Sequence, residues 1–293
     1  MTVLRERGEA SLPARRRRNR LMVAAMVAAV ALAVVPLVLI LAEVIAKGAG
    51  QLSLSFLSQP APYVATAAGG GYGAGVRGTL KMVALGTLVS VPIGVLAAVY
   101  LSEYDSRGPL ATTVRFFADV MTGIPSVFVG IFVFTVVVLE TQSFSSWAGG
   151  VALGILMLPV VVRTSEEALR LVPTSLREAS LALGVRRWRT IMSVVVPTAL
   201  PAITTGVLLA VARAAGETAP LLLTAFGNQL LVPWTSWNGP EASLTLQIFT
   251  DSRSPFPAQQ ARAWTGALVL IAGVLILSLV ARAVIARRSR LPR

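Results

Sequence analysis

The sequence predicts an all-α, polytopic membrane protein of about six transmembrane helices. Of its 293 residues 55% are hydrophobic and only 13% charged, and the mean hydropathy of +0.74 lies outside the range of soluble domains. Uncharged runs long enough to cross a bilayer recur along the chain, and arginines gather where those runs end, as the positive-inside rule requires. The net charge of +13 and pI near 11.5 could suggest nucleic acid, but that footprint is a basic stripe on a soluble fold with few long apolar runs. No nucleic-acid partner is expected; membrane lipids are.

The first run, residues 21–45, is LMVAAMVAAVALAVVPLVLILAEVI. Its 25 residues make a helix of about 37 Å at ~1.5 Å per residue, which spans a bilayer. Seven arginines from Arg5 to Arg20 precede it, a basic tail over residues 1–20. The apolar core is too long for a cleaved signal peptide and no A-x-A-like site follows, so an uncleaved first span is expected. Residues 46–78 contain Pro60, Pro62 and the run AAGGGYGAGVRG and read as a loop. That run does not match GxxxxGK[ST], which removes ATP binding of the P-loop kind. Further apolar segments at about 79–101, 118–139, 148–162, 198–226 and 264–285 complete six spans. The segment 148–162, short and holding Pro159, is the weakest of them. An even number of spans returns the basic C-terminal tail, residues 286–293, to the side of the N-terminus. On the positive-inside rule both are cytoplasmic, with the loop over 165–197.

Neither cysteine nor histidine occurs. Disulfides, thiolate metal sites, Ser-His-Asp triads and histidine proton relays are excluded. The 13 acidic residues fall mostly in expected loops. No catalytic residues, metal site or cofactor are assigned, and no enzymatic activity is expected of this chain.

The stretch REASLALGVRRWRTIMSVVVP, residues 177–197, is basic and amphipathic between two apolar runs. Ser175 and Glu178 have the spacing of a capping box, and Gly184 stands where a left-handed turn would end the helix. Leu176, Ala179, Ser180 and Leu183 share one face. Beyond the glycine, Trp188, Ile191, Met192 and Val195 recur at helical spacing, opposite Arg186, Arg187, Arg189 and Thr190, until Pro197. The pattern predicts a helix-turn-helix unit that either lies on anionic headgroups or docks a soluble partner.

The spacing separates the two. Glu178, Ala179 and Ser180, then Gly184 four residues on, then Val194 and Pro197, closely resemble the EAA-x3-G-x9-I-x-L-P loop of ABC-importer permeases. Ser for the third Ala and Val for Ile and Leu are mild departures. The segments GTLKMVALGTLVSVPIGVLAAVYLSEY (78–104), MTGIPSVFVGIFVF (121–134) and ARAAGETAPLLLTAFGNQ (212–229) are similar to the phosphate-importing branch of that family, over roughly residues 75–285. The resemblance implies a MetI-like ABC permease architecture, in which the loop forms coupling helices seated in a groove of an ATP-binding subunit. It also implies the partners: a second permease subunit (PstC-like), a nucleotide-binding ATPase dimer (PstB-like), an extracytoplasmic phosphate-binding protein (PstS-like) and inorganic phosphate itself. An importer of sulfate or molybdate has the same architecture. An ATP-independent secondary carrier or a regulatory scaffold has no reason to carry the EAA spacing.

Arg213 and Glu217 lie four apart, on one helix face, inside the apolar run from Pro201 to Phe226. A charge near the centre of a span costs about 2.5–3.5 kcal/mol on insertion scales, so both should face protein or water. They form either a structural ion pair or, with Arg213 as a non-titrating planar donor for a tetrahedral oxyanion, a point on the substrate path. In that second case Glu217 would keep the site from binding too tightly. Lys81, near the outer end of the second span, reads as snorkelling to headgroups rather than drawing anions inward. Arg115 and Asp119 read as topology charges, and Trp234, Trp237 and Trp264 as interfacial anchors. Pro92, Pro125 and Pro159 are candidate kinks.

Overall fold

A backbone surrounded by lipid satisfies its polar groups within a helix or a closed barrel. The computed structural model, which describes residues 2–64, 66–105 and 107–289, builds helices and no strand among those residues. In chain order they are α1 (Thr2–Gly48), α2 (Leu54–Ser58), α3 (Gly73–Val99) with a π-helical turn Tyr100–Tyr104, and α4 (Pro109–Gly123). Next come α5 (Ser126–Val133), a π turn Phe134–Val138, α6 (Leu139–Thr141), α7 (Ser146–Arg170), α8 (Thr174–Ala182) and α9 (Arg187–Thr190). After a π turn Ile191–Val195 follow α10 (Val196–Ala215), α11 (Ala219–Thr224), α12 (Leu244–Ser252) and α13 (Pro257–Ser289). Residues 1 and 290–293 of the expected basic tails lie outside the described residues.

Among the described residues five stretches are long and apolar enough to cross a membrane: Arg15–Gln51, Gly73–Tyr104, Ser146–Arg170, Arg187–Ala215 and Pro257–Ala283. The expected span 118–139 is not one straight helix. It is α4 and the α5–α6 segment, bent by 105°, and makes a sixth span only if the pair is counted as one. Pro125 causes the break: it has no N–H to donate, and it forces Ile124 out of the helical region to φ −73, ψ 128. Pro92 and Pro159, by contrast, sit inside α3 and α7 without ending them.

Other boundaries moved for physical reasons. The glycine-rich segment does not remain a loop to residue 78, because GAGVRG opens α3. Its glycines serve close approach: a Cβ on Gly78 would stand 1.9 Å from the Ala242 carbonyl oxygen. The supposedly weakest span is α7, 25 residues long and the most buried of the five. Ser145 caps its start by accepting from the Ala148 N–H. Its far end runs on through Arg163, Glu166, Glu167 and Arg170, of which Glu166 is buried in protein while Glu167 and Arg170 are exposed.

The core is built around α7, which packs on α3, α10, α4, α5 and α11. Small residues allow the tightest of these contacts. A Cβ on Gly86 of α3 would come within 3.0 Å of the Gly154 nitrogen and 3.1 Å of the Gly150 carbonyl oxygen. Around that contact Met82, Leu153, Met157, Val161, Ala210 and Leu221 form one buried cluster. α1 stands apart: it packs on α13, where the Thr265 hydroxyl donates to the Gly48 carbonyl at 2.9 Å, and its apolar window is wholly unburied by this chain.

Candidate functional site

At the end of the bundle where α7 stops and α10 begins, the predicted helix-turn-helix is formed by α8 and α9. Gly184 has φ +76, the left-handed turn anticipated for it, and its N–H donates to the Leu181 carbonyl at 2.9 Å. The capping box is not formed. Pro173 precedes the first helical residue and no side chain caps the helix, so Ser175 already lies inside the first turn. Ser180 explains the departure from the third alanine of the motif: it is buried, and its hydroxyl hydrogen-bonds that of Thr190 across the turn at 2.9 Å. Glu178, Ala179 and Gly184 are exposed, and Val194 and Pro197 half-buried.

The anticipated apolar faces are redistributed. Ile191 and Val195 are buried while Trp188 and Met192 are exposed, because the π turn Ile191–Val195 adds to the residues per turn and rotates the two halves of the stripe apart. Leu176, Leu181, Leu183 and Trp188 are left on the outside of a basic loop.

Charged side chains missed by sequence reasoning organise this end of the bundle. Glu103, in the π turn that closes α3, is buried and takes Arg177 Nη2 at 2.6 Å. Arg177 also donates to the carbonyls of Val172 at 2.5 Å and Leu169 at 2.9 Å, a cation on the open carbonyls at the C-terminus of α7. Nearby, the buried Glu166 of α7 is met by Arg115 at 2.8 Å and Arg170 at 2.6 Å, with Arg163 at 3.7 Å. Arg163 Nε donates to Asp119 at 2.7 Å, and Arg115 Nη2 to the Leu101 carbonyl at 2.9 Å. Arg115 and Asp119 therefore tie α4 to α7 rather than marking an interface. The sequence singles them out but not their partners, 51 and 44 residues away.

Arg213 and Glu217 come together, but not on one helix. α10 ends at Ala215, and Gly216–Thr218 form a break before α11, so Glu217 lies just beyond the helix whose last turn holds Arg213. Arg213 Nε stands 3.8 Å from Glu217 Oε1; the arginine side chain is 51% exposed and the glutamate 16%. The expected span 198–226 is cut here because α11 turns back to pack on α5 and α7.

At the opposite end, Lys81 does not snorkel. Its side chain is 2% exposed and its Nζ lies 2.5 Å from Glu241 Oε2 and 2.5 Å from the Ser236 carbonyl. Ser146 donates to the same glutamate oxygen at 2.8 Å. The segment 226–243 is thereby latched across the starts of α3 and α7. Trp237 belongs to this latch, 5.1 Å from Trp147 ring to ring and beneath Lys81. Trp234 is exposed, and Trp264 takes Lys47 over its ring. Beside the latch the Tyr72 hydroxyl donates to Asp251 Oδ2 at 2.8 Å, with Arg262 Nε 3.6 Å from the same oxygen. Burial pushes the Tyr72 phenol well above its ordinary value, so it stays a donor.

The family model described as "Binding-protein-dependent transport system inner membrane component" matches residues 90–290. The chain is 40% identical over 275 residues to the phosphate transport system permease protein PstA of Yersinia pestis, covering 94% of this chain and 92% of that one. It is 41% identical over 270 residues to PstA of Haemophilus influenzae, covering 92% and 94%. PstA 1 of Mycobacterium tuberculosis H37Rv is 44% identical over 230 residues, 77% of this chain and 73% of that one. In fold the chain resembles an inward-facing MetNI methionine ABC transporter chain, with TM-score 0.58 and 20% identity over 73% of this chain and 95% of the other. A family match across two thirds of the sequence, relatives aligned along nearly all of it, and a shared helical architecture place the chain: it belongs to the binding-protein-dependent transport system inner membrane components, the multi-pass permeases of ABC importers.

Proposed function

We propose that this permease is one of two membrane subunits of an ATP-driven importer of inorganic phosphate, and that it performs no chemistry itself. The 40% identity to a phosphate permease across 94% of the chain carries the substrate assignment. The geometry of residues 171–197 supports the mechanism. A loop braced from within by Ser180–Thr190 and Arg177–Glu103 presents Leu181, Leu183 and Trp188 outward, an apolar knob with a basic rim suited to a groove on a soluble ATPase dimer (PstB-like). The arginines of the loop and of the two tail sequences support a cytoplasmic position under the positive-inside rule. A second permease (PstC-like) faces the remaining path, and a phosphate-binding protein (PstS-like) delivers substrate to the other side. The cycle is alternating access, in which closure of the ATPase dimer moves the loop and opens the path outward.

Arg213 is the substrate-path residue, held by Glu217. A guanidinium that its own chain leaves half exposed near the end of a span cannot rest against hydrocarbon, so it turns to the path or to the second permease. Its fork suits the oxygens of phosphate.

Labelled-phosphate uptake in cells lacking their own permease subunit, supplied with this chain, its partner subunits and excess sulfate, tests the reading. Sulfate-resistant, ATP-dependent uptake is the expected result; uptake without ATP, or of sulfate instead, sinks it. A second expectation concerns the loop. Gly184→Ala puts a Cβ into open space, so its whole cost, about 1–2 kcal/mol, is the left-handed backbone. Co-purification of the ATPase subunit should weaken roughly tenfold while the spans stay intact.

A further inference from the structure

We infer that Glu103 is the positioning residue through which the cytoplasmic loop drives α3; the inference rests on the importer reading above. α7 and α10 are joined to the loop by the chain itself, one entering it and the other leaving it. α3 is not, so any thrust delivered to it crosses noncovalent contacts. Apolar packing on α7 and α10 is spread along the helix, but the hydrogen bonds and ion pairs from α8 and α9 to the end of α3 converge on one residue. Arg177 of α8 reaches both carboxylate oxygens of Glu103, with Nη2 to Oε1 at 2.6 Å and Nε to Oε1 and Oε2 at 3.2 Å each. Arg187 of α9 donates to the Glu103 backbone carbonyl, and its guanidinium carbon lies 5.4 Å from the centroid of the Tyr104 ring. Both helices of the unit thus grip the same point from either side of Gly184.

A buried ion pair is weak evidence for stability, since apolar residues of similar volume often hold a fold as well. What the guanidinium–carboxylate fork adds is direction, because its donors and acceptors meet in one geometry. The π turn Tyr100–Tyr104 places that carboxylate at the end of α3 and turns it toward the loop. From Glu103 the chain stays helical through the π turn and past Pro92 to Lys81, about 33 Å at ~1.5 Å per residue, and Lys81 is bonded to Glu241 of the 226–243 segment. Displacement of the loop therefore reaches the 226–243 segment along one continuous helix with a charged joint at each end.

The test is the amount of phosphate moved per ATP hydrolysed by the complete transporter with its binding protein in liposomes. Glu103→Gln keeps the shape and removes the charge; it is expected to lower that ratio roughly tenfold, in the usual range of coupling energies, in a complex that still assembles and hydrolyses ATP. Arg177→Ala should lower it similarly, and the double variant no further than either single one, because both remove one interaction. A ratio unchanged in Glu103→Gln overturns the inference, as does a loss of transport that merely tracks loss of assembled complex. A wild-type complex that hydrolyses ATP without moving phosphate would sink the importer reading instead, whatever the variants do.

Discussion

Lys81→Ala is expected to destabilise the protein by about 3–5 kcal/mol, the cost of leaving a buried charge without its partner. Glu241 would keep only the Ser146 hydroxyl, and its second oxygen already lacks a hydrogen-bond partner. No water-filled route offers relief, since both side chains are 2% exposed. The segment 226–243 would lose its hold on α3, and Trp237, beneath Lys81, would report it. Thermal unfolding of the detergent-purified complex, followed by tryptophan fluorescence, checks this. The informative control is Lys81→Met with Glu241→Leu, which leaves nothing charged in the latch and should recover most of the loss. A double variant as unstable as the single one would show that shape, not charge, holds the segment.

Arg213→Ala is expected to reduce phosphate uptake roughly 10- to 100-fold while the complex assembles normally. A hydrogen bond to a charged group is worth about 1.5–3 kcal/mol, and the half-exposed guanidinium contributes little to the packing of its own chain. Arg213→Lys keeps the charge without the fork and should fall between. Glu217→Gln separates the roles further: with its counter-charge gone Arg213 should hold the anion longer, lowering both the half-saturating phosphate concentration and the maximal rate. Loss of assembled complex in Arg213→Ala would instead identify the pair as structural.

The spans that face lipid were legible in the sequence because lipid imposes a composition: the segments around 21–45, 79–101 and 264–285 are apolar along nearly their whole length, with Lys81 and Arg282 near their ends. The EAA spacing likewise found the loop and its glycine. Legibility failed where protein replaces lipid. α7 carries Glu166 buried within it, and no local pattern shows that Arg115 and Arg170 will compensate it. Lys81 had the spacing of a snorkelling residue; only the fold brings Glu241 across 160 positions to meet it. The π turn at Ile191–Val195 defeated the helical face for a different reason, since periodicity arguments assume the very residues-per-turn that it changes.

The burial of α7 also bears on how the protein is made. The helix at the centre of the bundle is the one whose own sequence least favours residence in hydrocarbon, because its last turns are charged. Emerging from the ribosome after α3, it meets a surface already bearing Gly86, against which Gly150 and Gly154 close, and the carbonyl-anchored Arg115 that awaits Glu166. Insertion of α7, the least apolar of the five spans, is then helped by tertiary folding as well as by partitioning, and the order of synthesis, with the host helix first and the guest second, gives the buried Glu166 its partner as it arrives.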